Sequence, residues 1–260
     1  NSMPQLKIIS YNLNGIRSAV SKGLADWIKE TQYDVYLFQE IKANELDVPK
    51  EIFNDLGYVY HTWFSAEKKG YSGTGIISKL PFDAIRKGMG IDKHDREGRV
   101  ISVDIGDLTI VNAYFPSGSS GGERQSVKME FLDDFFVWIN ELKATKKHLI
   151  VSGDYNICHQ AIDIHDPKGN KDSSGFLPEE RAWMTKFFEA GFIDSFRHLN
   201  TDPHHYSWWS YRAGARGNNK GWRIDYNAVS AGLESNLLDA KIHPDVKHSD
   251  HCPIYLEILF

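Results

Sequence analysis

Four apolar runs in this chain each break off into a short polar cluster: Tyr11-Asn12-Leu13-Asn14, Gln39-Glu40, Gly153-Asp154-Tyr155-Asn156 and Ser249-Asp250-His251. A fifth acid, Asp225, sits inside Trp222-Arg223-Ile224-Asp225-Tyr226. Ends of apolar runs are where a sheet presents side chains to a crevice, so the pattern directs the search for function to one set of strand ends. The surrounding spacing supplies the frame. β-Branched and aromatic runs at Leu6–Tyr11 and Asp34–Gln39 flank a helical segment at Gly23–Thr31, which is an α/β pattern. Tyr58–Ser65, Gly75–Ser78, Phe82–Lys87, Arg99–Ile105 and Leu108–Tyr114 then follow one another without helices, as antiparallel meanders do, so the sheets are expected to be mixed. A helix over about Ser126–Lys143 leads into a strand at His148–Gly153, and a second helix starts near Pro178 with Glu179 and Glu180 in its first turn. Strands return at Arg223–Ser230 and Pro253–Phe260.

With 260 residues, 41% hydrophobic and 25% charged, the chain can bury a sizeable core, which excludes disordered and fibrous classes. Its longest apolar stretches, such as Leu108–Phe115 and Ile254–Phe260, are too short to cross a bilayer, and no basic start followed by an apolar run marks a secretory signal. A cytoplasmic protein without membrane attachment is expected. Cys158 and Cys252 are too few for a disulfide framework and read as buried spectator thiols in a reducing compartment. The net charge of −5 argues against a protein that coats nucleic acid non-specifically, so any affinity for phosphate has to come from local charge. Asn1-Ser2 ahead of Met3 look like residues added for expression, and the lack of a repeat or flexible linker leads us to expect one domain over residues 3–260.

Each polar cluster has an ordinary structural reading: Asn12 and Asn14 as turn formers, Glu40 as a solvated strand end, Asp154 and Asn156 as an Asx turn. Gathered at strand ends, three or more carboxylates with amides and an imidazole make a hard-oxygen metal site beside an acid/base group. Such a set suits Mg²⁺, with Mn²⁺ as a substitute; zinc would want more sulfur and imidazole, and no His-Glu-x-x-His spacing is present among the 11 histidines. His251 is the best single catalytic candidate, because Asp250 beside it and Asp225 elsewhere can orient and charge its ring. A serine-hydrolase elbow, a Walker loop and a Gly-x-Gly-x-x-Gly motif are all missing. Trp208 to Arg216, followed by Lys220 and Trp222-Arg223, interleaves aromatics and cations as nucleic-acid surfaces do, although one of Trp208 and Trp209 has to point inward if the segment is a strand. Pro167-Lys168-Gly169-Asn170-Lys171 adds positive charge suited to phosphate.

The strings SYNLNGIR, DVYLFQEIK, GYSGTGIISK, EGRVI, NAYFPS, SGDYNICH, DIHDPKGN, GWRIDY and SDHCPI occur in this order over nearly the whole chain. Together they resemble the exonuclease III-like apurinic/apyrimidinic endonucleases of the endonuclease/exonuclease/phosphatase superfamily. The resemblance implies a DNase I-like fold of the α/β (α+β) class: a four-layered α/β sandwich in which two packed mixed β-sheets are flanked by helices. It implies catalytic roles for Tyr114, Asp154, Asn156, Asp225 and His251, and a Mg²⁺ site drawn from Glu40, Asn14, Asp154, Asn156, Asp250 and His251. Substrate contacts fall to Asn12, Lys42 and Arg212, with Trp208, Trp222 and Ile224 lining an apolar pocket for a flipped sugar. The implied reaction is Mg²⁺-dependent hydrolysis 5′ to abasic sites in double-stranded DNA, leaving a 3′-hydroxyl and a 5′-deoxyribose phosphate, with activity on blocked 3′ ends as well. A monomeric enzyme of bacterial cytoplasmic type, acting at the nucleoid, fits the pattern. Two positions depart from it: Ser117 stands where many relatives carry Asn, and Arg212 where some carry an apolar wedge. The alternatives are the same fold acting mainly as a 3′→5′ exodeoxyribonuclease, or as a phosphoinositide or phospholipid phosphodiesterase.

Overall fold

The computed structural model describes residues 4–260, and the expectation about Asn1, Ser2 and Met3 lies outside that range. The chain starts with β1 (Gln5–Asn12), crosses over through α1 (Ile16–Ser21) and α2 (Leu24–Thr31), and returns parallel to β1 as β2 (Val35–Gln39). After α3 (Lys50–Asp55) come β3 (Tyr60–Phe64) and β4 (Thr74–Ser78), then β5 (Ala84–Lys87), a single turn α4 (Asp92–Asp95), β6 (Val100–Ile105) and β7 (Leu108–Tyr114). The long α5 (Gly122–Thr145) carries the chain to β8 (His148–Asp154), parallel to β7. It ends with α6 (Pro178–Glu189), β9 (Phe192–Asp194), α7 (Ser195–Leu199), β10 (Asp225–Ser230), β11 (Leu237–Ile242) and β12 (Ile254–Leu259).

These strands make two six-stranded sheets, in the orders β11-β12-β1-β2-β4-β3 and β5-β6-β7-β8-β10-β9. Each has one parallel pair at its centre and antiparallel neighbours elsewhere, so both are mixed. The run of meander strands between Tyr58 and Tyr114 divides between them, β3 and β4 completing the first sheet while β5 to β7 begin the second. Antiparallel patterning looks the same on either side of that switch, so spacing alone does not reveal it.

Period-two alternation explains the four layers. In β2, Val35 and Leu37 face the other sheet while Tyr36 and Phe38 face α1, α2 and α3; in β8, Ile150 faces inward while Leu149 and Val151 face α5 and α6. Leu6, Ile8, Ile76, Ile101, Val103, Ile110 and Val229 fill the layer between the sheets, each contributing about 2 kcal/mol of burial. Phe131, Phe135, Trp183 and Phe187 seal the outer face of the second sheet. The α/β sandwich expected from sequence is therefore the observed architecture. The expectations missed α1, α3, α4, α7 and β9, which have too few residues to show a period, and β11, an edge strand of which only Ala240 is buried, so that no apolar run marks it. The strand anticipated from Arg223 starts only at Asp225, and α5 begins at Gly122, four residues earlier than its apolar pattern suggests. No helix among the described residues is long and apolar enough to cross a membrane.

The outer strands of the second sheet are clamped by charge. Asp104 on β6 takes Arg86 of β5 in a two-pronged pair at 2.5 and 3.1 Å, Thr109 at 2.8 Å and Lys146 at 3.2 Å. Partial burial works against ionisation, but Arg86, Thr109 and Lys146 outweigh it and hold this carboxyl down at about 2. A depressed carboxyl stabilises the fold above its ordinary titration range and loses that contribution as pH falls through the folded value. Asp104→Asn is therefore expected to lower the thermal midpoint at pH 7 and to flatten its fall between about pH 4 and 2, as followed by circular dichroism.

Candidate active site

The polar clusters leave the strands through backbone that most side chains avoid. Asn14, Glu40, Lys42 and Asn156 have φ of 46°, 52°, 50° and 52°, a left-handed region costing about 1–2 kcal/mol for a residue with a Cβ. Local bonds hold them there: Asn12 Oδ1 accepts from the Asn14 amide and Asp154 Oδ1 from the Asn156 amide, each at 2.9 Å, and Gly15 donates to the Glu40 carbonyl at 2.8 Å. The Asx turn anticipated at Asp154 and the turn anticipated at Asn12 and Asn14 both exist, and they also aim the side chains. Such strain gathers where surrounding structure overdetermines a site.

The two sheets meet at this edge. Asn12, ending β1, donates from Nδ2 to Asp154 Oδ2, ending β8, at 2.9 Å. Asp154, Asp225 and His251 are buried together, with one ligand atom of each within 4.8 Å of the others. His251 Nδ1 lies 2.9 Å from Asp225 Oδ2, and its Nε2 lies 3.6 Å from Asp154 Oδ2. Burial disfavours an imidazolium here, but Asp225 and Asp154 overcome it and hold His251 protonated well above its ordinary range. Burial and the neighbouring Asp225 push the Asp154 carboxyl up, against the pull of His251 and Asn12. Of the two acids considered as partners for His251, the structure pairs Asp225 with it. Asp250 instead accepts from Trp208 Nε1 at 3.1 Å and Ser249 Oγ at 3.2 Å.

These groups open into a pocket of about 610 Å³ lined in part by Glu40, Tyr114, Asp154, Asn156, Asp250 and His251. Trp208, Trp222 and Ile224 form one wall, the two indoles meeting edge to face at 5.9 Å. Trp208 is tied only by isolated bridges to Trp222 and His251, so the segment is not a strand; still, one indole of the pair is inward, since Trp209 is buried. Serines and glycines of the loops 117–121 and 173–175 line the rest of the pocket, with Gly175 packed against Trp222. Lys42 stands at the rim, 2.6 Å from Asn14 Oδ1 and 3.5 Å from Glu40 Oε2. Arg212 is exposed and does not line the pocket. Sequence reasoning gave no role to Lys128 beneath the pocket, or to Arg99, whose guanidinium lies 5.0 Å from the Tyr114 ring centre and donates to the Tyr114 carbonyl. Lys128 looks like any charged helix position, and only the burial revealed by folding marks it. Arg99 lies in the string EGRVI, where nothing local sets it apart from the other cations of the chain.

Among the described residues, Asp225 Oδ1 is buried without a hydrogen-bond partner. The donor set around it is carboxylate and amide oxygen with one imidazole, and both cysteines are buried thiols. That chemistry fits a divalent cation that prefers oxygen ligands.

Residues 9–251 match the Endonuclease/Exonuclease/phosphatase family. The chain is 42% identical to an exodeoxyribonuclease of Bacillus subtilis, covering 97% of this chain and 99% of that one. It is 40% identical to the DNA repair nuclease APEX1 of Danio rerio, covering 96% and 81%. Among solved structures, an AP endonuclease from Archaeoglobus fulgidus superposes with a TM-score of 0.89 at 26% identity, over 96% of this chain and 98% of that one. A 3′-5′ exonuclease from Neisseria meningitidis superposes with a TM-score of 0.92 at 22% identity, covering 98% and 100%, and shares the fold. The chain belongs to the endonuclease/exonuclease/phosphatase family, with the DNase I-like architecture of that family. Within it the chain is a hydrolytic enzyme of the exonuclease III-like AP endonuclease type.

Removing the charge at 225 isolates the electrostatics of the imidazole. Asp225→Asn is expected to bring the His251 titration down toward its ordinary value, because the largest of the groups holding the proton on is gone. An NMR titration of the His251 ring in the metal-free protein measures this directly.

Proposed function

We propose that this enzyme hydrolyses the DNA backbone on the 5′ side of abasic sites in duplex DNA, in a Mg²⁺-dependent reaction that leaves a 3′-hydroxyl and a 5′-deoxyribose phosphate. The observation that supports this most is the joining of two features in one cavity: the buried Asp154–Asp225–His251 cluster and the apolar wall of Trp208, Trp222 and Ile224. The wall suits a sugar that has lost its base. Extruding such a sugar costs less than unstacking an intact nucleotide, which gives selectivity without any contact to a base.

Glu40, Asn14, Asp154 and Asp250 would hold the cation, with Asn156 at its edge, and the pairing of His251 with Asp225 favours an acid/base role for the imidazole over ligation. When bound, the cation supplies charge neutralisation at the phosphate and a more acidic water. The protein groups do the rest. Asn12 fixes the Asp154 carboxylate, Tyr114 and Asn156 face the phosphate position, Asp154 accepts the proton of the attacking water, and Asp225 holds the protonated His251 ring in place. The water oxygen forms a bond to phosphorus as the bond to the 3′ oxygen breaks, and that oxygen leaves with a proton donated by the protonated His251. A nucleotide end blocked at its 3′ position presents the same phosphate, so 3′→5′ exonuclease and 3′-phosphatase or phosphodiesterase activities belong to the same site. Every group named comes from one chain, consistent with a monomer, and the buried thiols suit a reducing, cytoplasmic setting.

A labelled duplex with one central tetrahydrofuran analogue tests the proposal. With Mg²⁺ it should be cut once, 5′ to the analogue; EDTA and Glu40→Ala should abolish the cut, and His251→Ala should slow it by about 10²–10⁴-fold. A ladder shortening from the 3′ ends would make the enzyme chiefly an exonuclease. An untouched duplex, with turnover of inositol phosphates, would overturn the reading.

A further inference from the structure

The ammonium of Lys128 is almost wholly inaccessible, 1% exposed, and its ion-pair partner Glu180 is fully buried. Burying such a pair is costly and adds little stability over an apolar replacement of the same volume, so its presence beneath a site calls for another explanation. Its bonds supply one. Lys128 Nζ donates to the Asn156 carbonyl at 2.7 Å, on a non-glycine residue held at a left-handed φ of 52°, while Asn156 Nδ2 donates to the Phe115 carbonyl at 2.7 Å. Glu180 Oε1 accepts the amides of Gly175 at 2.7 Å and Leu177 at 3.0 Å. Those amides belong to the serine-glycine wall of the pocket and to the start of α6, and the wall leans on the same stretch through Cys158, whose amide donates to the Gly175 carbonyl at 2.8 Å. Gly175, with φ of 95°, packs so closely that a Cβ there would come within 2.9 Å of the Trp222 ring. One ion pair thus joins α5, α6, the strained turn after β8 and both walls of the cavity.

We propose that Lys128, held in place by Glu180, is a positioning residue for the reaction, fixing Asn156 and the 173–177 wall in the geometry the phosphate and the extruded sugar need. This rests on the function proposed above. Lys128→Met alone leaves a buried, unpaired carboxylate and is expected to lower the unfolding midpoint, which by itself says nothing about the site. Lys128→Met combined with Glu180→Gln removes both charges while Gln keeps an acceptor for the Gly175 and Leu177 amides. This double variant separates positioning from stability.

The test compares wild type and the double variant by thermal unfolding, by hydrogen exchange, and by kcat and KM on the tetrahydrofuran duplex. The expected result is an unfolding midpoint restored toward that of wild type, faster exchange confined to residues 154–158 and 173–177, and kcat at least about tenfold lower with KM little changed. Wild-type kcat and wild-type exchange in the double variant would overturn the proposal and leave the pair a structural feature only. A rise in KM alone, with the salt dependence of binding reduced by about one phosphate contact, would also overturn it and make Lys128 a direct phosphate ligand. If the wild-type enzyme leaves the duplex uncut, it is the proposed function that fails, and the exchange of residues 154–158 and 173–177 still decides whether the pair positions the site.

Discussion

Inside the apolar layer between the sheets, one pair of amides has no tolerance for sliding. Gln39 at the end of β2 donates from Nε2 to Asn112 Oδ1 on β7 at 2.8 Å, and Asn112 Nδ2 donates back to the carbonyls of Phe38 and Gly75 at 3.0 and 2.9 Å. Both side chains are fully buried. Hydrophobic contact alone is non-directional, and Leu, Ile and Val from two sheets pack in several registers with similar energy. A displaced register would leave these amides unpaired at a cost of about 1–3 kcal/mol each, so the pair selects one register. That register sets the ends of β1 and β8 side by side and brings Asn12 within reach of Asp154.

Everything chemical in the site follows from that meeting. Each sheet contributes strand ends, and neither sheet alone holds the full set: Asn12, Glu40 and His251 come from the strand ends and adjoining loops of the first, Tyr114, Asp154, Asn156 and Asp225 from those of the second. Gly153 allows the second sheet to deliver its share, because with φ of 143° it lies so close to β7 that a Cβ would fall 1.8 Å from the Ala113 carbonyl oxygen. Burial of the resulting cluster then raises the electrostatic stakes. In water, Asp154 and His251 would titrate near their ordinary values; packed with Asp225, both are displaced upward, Asp154 to about 7, where it can take up a proton, and His251 to about 10, where it stays protonated and can donate one.

Much of this was legible before folding because the signals were dense. Buried strands such as Val35–Gln39 and His148–Asp154 announce themselves by β-branched and aromatic runs, and the clusters that end them are short enough to read whole. The sandwich and the family came from nine strings in order. What stayed hidden depends on distance through space. Lys128 and Glu180 are 52 residues apart in sequence and each looks like a solvated helix charge; only the packing of α5 against α6 turns them into a buried pair. In sequence Gln39 looks like part of a polar strand end, although its side chain serves the sheet interface and Glu40 beside it serves the site. Arg212, singled out for its place among aromatics, stands exposed outside the pocket, because the turn around Ala213 and Gly214 carries it away from the wall that Trp208 and Trp222 form.

The direct measurement of whether sheet register governs the site is the turnover per folded molecule of Gln39→Leu/Asn112→Leu on abasic duplex DNA. Replacing both amides by apolar groups removes the directional pair without leaving either amide unpaired; of the buried side chains they bond, Ser10 Oγ loses its donor, Gln39 Nε2 at 3.0 Å. If the amides hold the register that brings Asn12 to Asp154, the double variant stays folded and loses about 100-fold in turnover, the scale expected for a misplacement near 1 Å. Wild-type turnover in a folded double variant would show that apolar packing alone aligns the two sheets, and would contradict the role assigned to the amide pair.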